Sequence, residues 1–168
     1  RRSRSGSSNL SPDLNVISLR AEKMVLVCRP EHPLAKEKAI TAEHLRDADF
    51  VGFDRDLSIR KEVDRYLRQR SVGIKMVAEF DNIETIKQAV IANMGLSFLS
   101  LHTLGLELER GLLRIVAVDG LPLIRRWHIV NMRGRALSPA AEAFCYFILE
   151  RAEAFLAVGA SPVLRRDV

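Results

Sequence analysis

What this sequence lacks narrows it before anything else does. Its two cysteines, Cys28 and Cys145, stand far apart in apolar segments. They form no CxxC pair and have no histidine cluster beside them. A disulfide framework and a thiolate metal site are therefore excluded, and buried reduced thiols are the reading that remains. No apolar run approaches the roughly 18 residues that cross a bilayer, and the opening RRSRSGSSN leads into no apolar segment of the signal-peptide kind. The expectation is a soluble, cytoplasmic chain with no membrane partner. The histidines, His32, His44, His102 and His128, fall in no HExxH spacing, and the GxSxG elbow, the P-loop and the GxGxxG turn are absent. This points away from the common enzymes, and no cofactor or resident metal is expected.

Aromatic residues do not interleave with the basic ones as they would on a platform for single-stranded nucleic acid. The formal charge of +5 is thus a poor argument for a nucleic-acid groove, because Arg1, Arg2, Arg4, Arg165 and Arg166 carry much of the excess at the two ends. Residues 1–13 and 159–168 read as disordered or tag-like tails. The chain begins with Arg, which keeps a fragment in view.

What is present is an apolar fraction of 48%, enough for a core. The centre of the pattern is Ile74 to Leu99, a strand, a helix and a second buried strand in succession. In it Ile74, Met76, Ala78 and Phe80 alternate with polar or exposed positions. Asp81 is the expected N-cap, with Glu84 three residues on completing a capping box. Ile83, Ile86, Val90 and Met94 recur at helical spacing, and Gly95 is the expected left-handed C′ residue.

Upstream, LNVISL and KMVLVC read as two strands, RPEHPLA as an extended loop, and Thr41 as the start of a short helix. Phe50 to Phe53 is another strand. The helix from about Ser58 places Ile59, Val63, Tyr66 and Leu67 on one face and Arg60, Lys61, Asp64 and Arg68 on the other. Downstream come a short helix from Thr103 to Glu109, the strands LLRIVAV and RWHIVNM, and a helix capped by Ser138 with the stripe Phe144, Phe147, Ile148, Ala152, Phe155 and Leu156. Strands alternating with helices predict an α/β fold with a mostly parallel sheet.

The candidate chemistry is that of binding. Asp54 and Asp56 follow a strand, where α/β folds present ligand contacts, although Arg55 and Arg60 can pair with them locally. The helix beginning at Asn82 points amides and a positive dipole end outward, but Asp81 and Glu84 already supply negative charge there. The helix at Ser58 is therefore the better anion candidate. His102 lies at a strand-to-helix turn, where it can cap a helix or line a cleft.

The succession MVLVCRPEHPLA, ADFVGFD, RKEVDRYLRQRSV and FDNIETIKQAVIANMGLSFLS resembles the effector-binding domain of LysR-type transcriptional regulators. The tail HTLGLELERGLLRIVAVDGLPLIRRWHIV is similar to regulators of the carbon-fixation and cysteine-metabolism type. The resemblance runs from about Leu14 to Phe155. It implies a periplasmic-binding-protein type II-like fold of two Rossmann-like lobes with a small-molecule effector between them. By this pattern 50–126 is the complete second lobe, while 14–49 and 127–158 form part of an incomplete first lobe. The helix-turn-helix has no counterpart, so DNA is a partner only through the missing N-terminal domain, and the full-length form would be a dimer or tetramer. Family effector contacts map onto Phe53, Asp54 and Ser58, onto Phe80, Asp81, Asn82 and Ile83, and onto Ser100 and His102. The alternative is a stand-alone small-solute-binding α/β protein with no link to DNA.

Overall fold

A run of five side chains buried on both faces, Met24 to Cys28, forms the spine of the sheet. The computed structural model describes residues 11–38 and 40–157. The expectations for residues 1–10 and 158–168, and for the side chains of Ala152, Phe155 and Leu156, lie outside the described residues. The elements are β1 (Leu14–Cys28), β2 (Asp49–Phe53), α1 (Ser58–Gln69), β3 (Lys75–Phe80), α2 (Ile83–Ile91), β4 (Ser97–Ser100), α3 (Gly105–Glu109), β5 (Arg114–Val116), β6 (Leu123–Met132) and α4 (Pro139–Ala157). Short 3-10 turns at Pro33–Lys36, Ala42–Leu45 and Leu101–Thr103 link them.

The described chain divides into two compact units, Glu22–Arg125 and residues 11–21 with Arg126–Ala157. Residues 22–49, which the resemblance assigns to a first lobe, pack with the strands and helices that come after them. In the larger unit β1 pairs antiparallel with β4 (Val25 opposite Leu99) and with β5 (Val27 opposite Ile115). β2 and β3 are parallel, with Phe53 opposite Phe80, and a parallel bridge from Phe50 to Leu96 connects β2 to the start of β4. The sheet is thus mixed, not mostly parallel as expected. Strand direction depends on which neighbour is reached, and two of β1's neighbours come from far downstream.

Strand alternation explains why β1 reads as a continuous apolar run. Met24, Leu26 and Cys28 join Phe50, Leu96, Phe98 and the inner face of α1 (Val63, Tyr66, Leu67). Val25 and Val27 join Val51, Phe53, Leu99 and the inner face of α2 (Ile86, Ala89, Val90). Phe50 and Phe98 stack with centroids 5.8 Å apart, and Tyr66 meets Phe98 edge-on at 5.7 Å. A buried ring of this kind contributes roughly 2–3 kcal/mol by removal from water.

Several local expectations are corrected. LNVISL and KMVLVC are one 15-residue strand, since nothing between them breaks extended backbone. The RPEHPLA loop contains a 3-10 turn with Pro33 at its first position, capped by His32, whose Nδ1 accepts from the Leu34 amide at 3.2 Å. Thr41 opens a single 3-10 turn in place of a helix, and the expected helix at Thr103 is split into a 3-10 turn and α3.

The cap of α2 is Asn82, not Asp81, its Oδ1 accepting from the amides of Glu84 at 2.8 Å and Thr85 at 3.3 Å. Glu84 does not close a capping box but pairs with Lys87 at 2.9 Å. At the other end of the helix Asn93, at φ 65°, takes the left-handed position expected of Gly95. Gly95 is needed for a different reason: a Cβ there would lie 2.5 Å from the carbonyl oxygen of Asp49. Met94 lies beyond the helix and is exposed.

Residues 11–21 and Arg126–Ala157 form the smaller unit. The Arg133 amide donates to the Asp13 carbonyl at 2.6 Å, and Asn15 donates to Asn131 at 3.2 Å. Ser138 Oγ caps α4 through the Ala141 amide at 3.3 Å. None of this unit's described side chains is buried. Phe144 and Phe147, expected on an inward stripe, are 62% and 49% exposed.

Candidate functional site

The parallel run of β2 and β3 brings two predicted loops to one edge of the sheet. The Asp54 amide donates to the Phe80 carbonyl at 3.1 Å, directly past the Phe53–Phe80 register pair. Because β4 starts beside β2 and runs with it, Ser100 and His102 lie at the same edge. The structure therefore gathers the three predicted segments at the carboxyl ends of three neighbouring strands, the position at which open α/β sheets bind ligands.

The predicted side chains divide by exposure. Ser58 opens α1 in the open; the N-cap position is Leu57, and no side chain caps the first turn. Asp81 and Asn82 are exposed, and Asp54 and Ile83 are half-buried. The ring of Phe53 is buried in the core under α2, and Phe80 and Ile83 pack against the same cluster. The Ser100 hydroxyl is buried and donates to Glu22 Oε1. Of the two helix starts, the amides of α2 are bonded to Asn82, whereas those of α1 face no side-chain acceptor.

Sequence reasoning missed the charged groups that build this edge. Arg60, placed on the outer face by periodicity, is only 9% exposed. Its guanidinium bonds Glu79 on β3 at 2.6 Å, Asp64 at 2.9 Å and the Phe53 carbonyl at 2.9 Å, which clamps the first turn of α1 to the ends of β2 and β3. Burial opposes the Arg60 charge, but the bonds to Glu79 and Asp64 outweigh it and raise its pKa. The bond from Arg60, helped by Arg55, holds the Glu79 carboxyl below its ordinary range.

Lys87, a second buried charge, ties α2 to the turn and short helix beyond β4. It bonds Glu107 at 2.8 Å and the Thr103 carbonyl at 3.2 Å. Burial lowers its pKa, but the bonds to Glu107 and Glu84 outweigh that and raise it. Glu22 and Arg125 were missed as well: Glu22 lies 3.4 Å from Arg125 and 3.5 Å from His102. The one signal for Glu22 was a carboxylate standing at the threshold of an otherwise apolar strand.

Loops converging at the ends of parallel strands, over a core closed on both faces, define an α/β unit of the ligand-binding kind. Residues 4–153 match the family described as the LysR substrate binding domain, and the chain belongs to it. It is 40% identical over 129 residues to a RuBisCO operon transcriptional regulator of Allochromatium vinosum, covering 77% of this chain and 43% of that protein. It is 38% identical over 146 residues to the HTH-type transcriptional regulator CfxR of Cupriavidus necator, covering 86% and 46%. The chain thus spans less than half the length of these curated relatives. Among solved structures, the CcmR regulatory domain of Synechocystis PCC6803 in complex with 2-PG superposes with a TM-score of 0.77 at 32% identity, over 82% of this chain and 66% of that one. The architecture is the mixed α/β fold of LysR regulatory domains, which is periplasmic-binding-protein type II-like. Among the described residues no helix is long and apolar enough to cross a membrane.

Proposed function

We propose that this chain is the effector-sensing part of a LysR-type transcriptional regulator and that its effector is a small anionic metabolite. The observation that carries this reading is the convergence of the loops after β2, β3 and β4 at one edge, beside an α1 start whose amides no side chain caps. A relative at 32% identity whose regulatory domain holds 2-PG supports the same class of ligand. Asp54, Ser58, Asp81, Ile83 and His102 are the proposed effector-facing positions, with Phe53, Phe80 and Asn82 shaping the turns from which they project and the buried Ser100 supporting them from behind through Glu22.

In this reading Glu22–Arg125 is the second lobe and residues 11–21 with Arg126–Ala157 are part of the first. The absence of any buried side chain among the described residues of the smaller unit supports an incomplete lobe. DNA contact belongs to a segment outside this chain, the working form is a homo-oligomer in the cytoplasm, and the protein has no catalytic role. An anion shifts a regulator only through a difference in affinity between two arrangements of the protein.

The test is a calorimetric titration of the full-length regulator with 2-PG, with glycerol as an uncharged control. Saturable binding that Ser58→Pro and His102→Ala weaken supports the reading. Absence of binding by a protein that still recognises its operator refutes an anionic effector of this kind.

A further inference from the structure

Glu22 is 4% exposed, and the Ser100 hydroxyl and the Arg125 guanidinium donate to it. Its Oε1 accepts from the Ser100 hydroxyl and lies 3.5 Å from His102 Nδ1, while its Oε2 lies 3.4 Å from Arg125 Nη1. The placement comes from register. β1 and β4 are antiparallel with Met24 opposite Ser100, so Glu22 falls beside the residues that leave β4, at the edge where β2 and β3 also end. The side chains in front are not buried: His102 keeps 32% and Arg125 23% of its accessible surface, against 3% for Glu22. A solute arriving from water meets an imidazole and a guanidinium, with a carboxylate behind them.

A carboxylate this buried depends on its donors, and those donors are also the groups that recognise a carboxylate or phosphate from outside. We infer that His102 and Arg125 form an anion subsite whose strength Glu22 sets. The buried carboxylate holds both donors in position and repels the incoming charge. The subsite therefore accepts singly charged carboxylates more readily than doubly charged phosphates, a repulsive element used for selectivity. The inference deepens the proposed function, since it rests on placing Ser100 and His102 at the effector edge. It adds Arg125 as a binding group and Glu22 as the positioning and charge-selecting residue.

Two charges about 6 Å apart near a protein surface interact strongly enough to change binding about tenfold. The experiment is an NMR titration of the full chain at neutral pH with inorganic phosphate and, separately, acetate. Glu22→Gln keeps the shape and an acceptor for Ser100 while removing the charge. It is expected to bind phosphate about tenfold more tightly than the wild type, with a smaller gain for acetate. In the double variant Glu22→Gln with Arg125→Gln, the gain disappears.

No gain in Glu22→Gln, or a gain that survives loss of Arg125, overturns the inference. Should Glu22→Gln not fold, Arg125→Gln and His102→Gln decide, since both alter partly exposed side chains. Each is expected to weaken phosphate binding at least about threefold, and unchanged binding in both overturns the subsite. The two readings separate on 2-PG. A full-length wild type that fails to bind it while Glu22→Gln gains phosphate affinity sinks the proposed effector class alone. A wild type that binds 2-PG with no effect of Glu22→Gln sinks this inference alone.

Discussion

Gly95→Ala tests the closest backbone approach in the larger unit. A Cβ at this position would stand 2.5 Å from the Asp49 carbonyl oxygen, 2.7 Å from its carbon and 3.1 Å from the Phe50 nitrogen, all backbone atoms. These are atoms of β2, so the methyl group can be housed only by prising the start of β4 away from it. Two hydrogen bonds close that seam, Leu96 N to Asp49 O at 2.9 Å and Val51 N to Leu96 O at 2.8 Å. The backbone adds a second cost, because φ at Gly95 is 153°, which L-residues rarely adopt. Strain of that kind costs about 1–3 kcal/mol, and weakening each seam bond adds roughly 1 kcal/mol. The expected loss is therefore about 3–5 kcal/mol, a large share of a typical total of roughly 5–15 kcal/mol.

The assay is urea unfolding followed by far-ultraviolet circular dichroism. With a slope of about 1–2 kcal/mol per molar for a unit of this size, the midpoint should fall by about 2–3 M. Gly73→Ala is the control, since nothing lies within 4 Å of a Cβ there. If Gly95→Ala and Gly73→Ala unfold at the same midpoint, the close-approach argument is wrong.

The same geometry sets three further outcomes. Asn82→Ala should lower stability by about 1 kcal/mol by uncapping α2, whereas Asp81→Ala should leave it within about 0.5 kcal/mol; denaturant midpoints that rank the two the other way would contradict the assigned cap. The Glu79 pKa is depressed below its ordinary 4.5 chiefly by the Arg60 bond, so its stabilisation is complete above 4.5 and is lost as pH falls through the lower folded value. The stability difference between the wild type and Glu79→Gln should accordingly be constant near neutrality and shrink on acidification; a gap that widens in acid would refute the pairing. Burial pushes the Cys28 thiol up to about 11, against a smaller lowering by Arg114. Alkylation of Cys28 at neutral pH, followed by mass spectrometry, should therefore require unfolding, and rapid labelling of the native chain would be inconsistent with that environment.

Legibility in the sequence tracked the range of the interactions involved. Periodicity found α1, β3 and α2 because amphipathic spacing is local, and the start of α4 was readable because the amide that Ser138 caps is three residues away. The same locality misled at Arg60 and gave no sign of Lys87. Spacing treats a charge as solvent-facing, whereas each finds its carboxylates on neighbouring elements, Glu79 and Glu107. Asp81 and Asn82 are both good caps in adjacent positions, and only the backbone decides between them. Ser100 and His102 could be named from their place after a strand. Glu22 and Arg125 could not, since Ser100 lies 78 residues from Glu22 and Arg125 103 residues from it. The antiparallel pairing of β1 with β4 and β5 is equally non-local, and it produced the mistaken expectation of a mostly parallel sheet.

The chain has a single tryptophan, Trp127, which is 51% exposed and belongs to the smaller unit. Intrinsic fluorescence excited at the indole therefore reports on residues 11–21 and Arg126–Ala157, with a red-shifted emission in the native state. It is nearly blind to Glu22–Arg125, whose aromatic cluster of Phe50, Phe98 and Tyr66 contains no indole. Circular dichroism, by contrast, is weighted toward the larger unit. Recorded together, the two signals give a spectroscopic separation of the units without any added label: coincident melts would mean that they lose structure as one body, and an earlier fluorescence transition would mean that the smaller unit opens first.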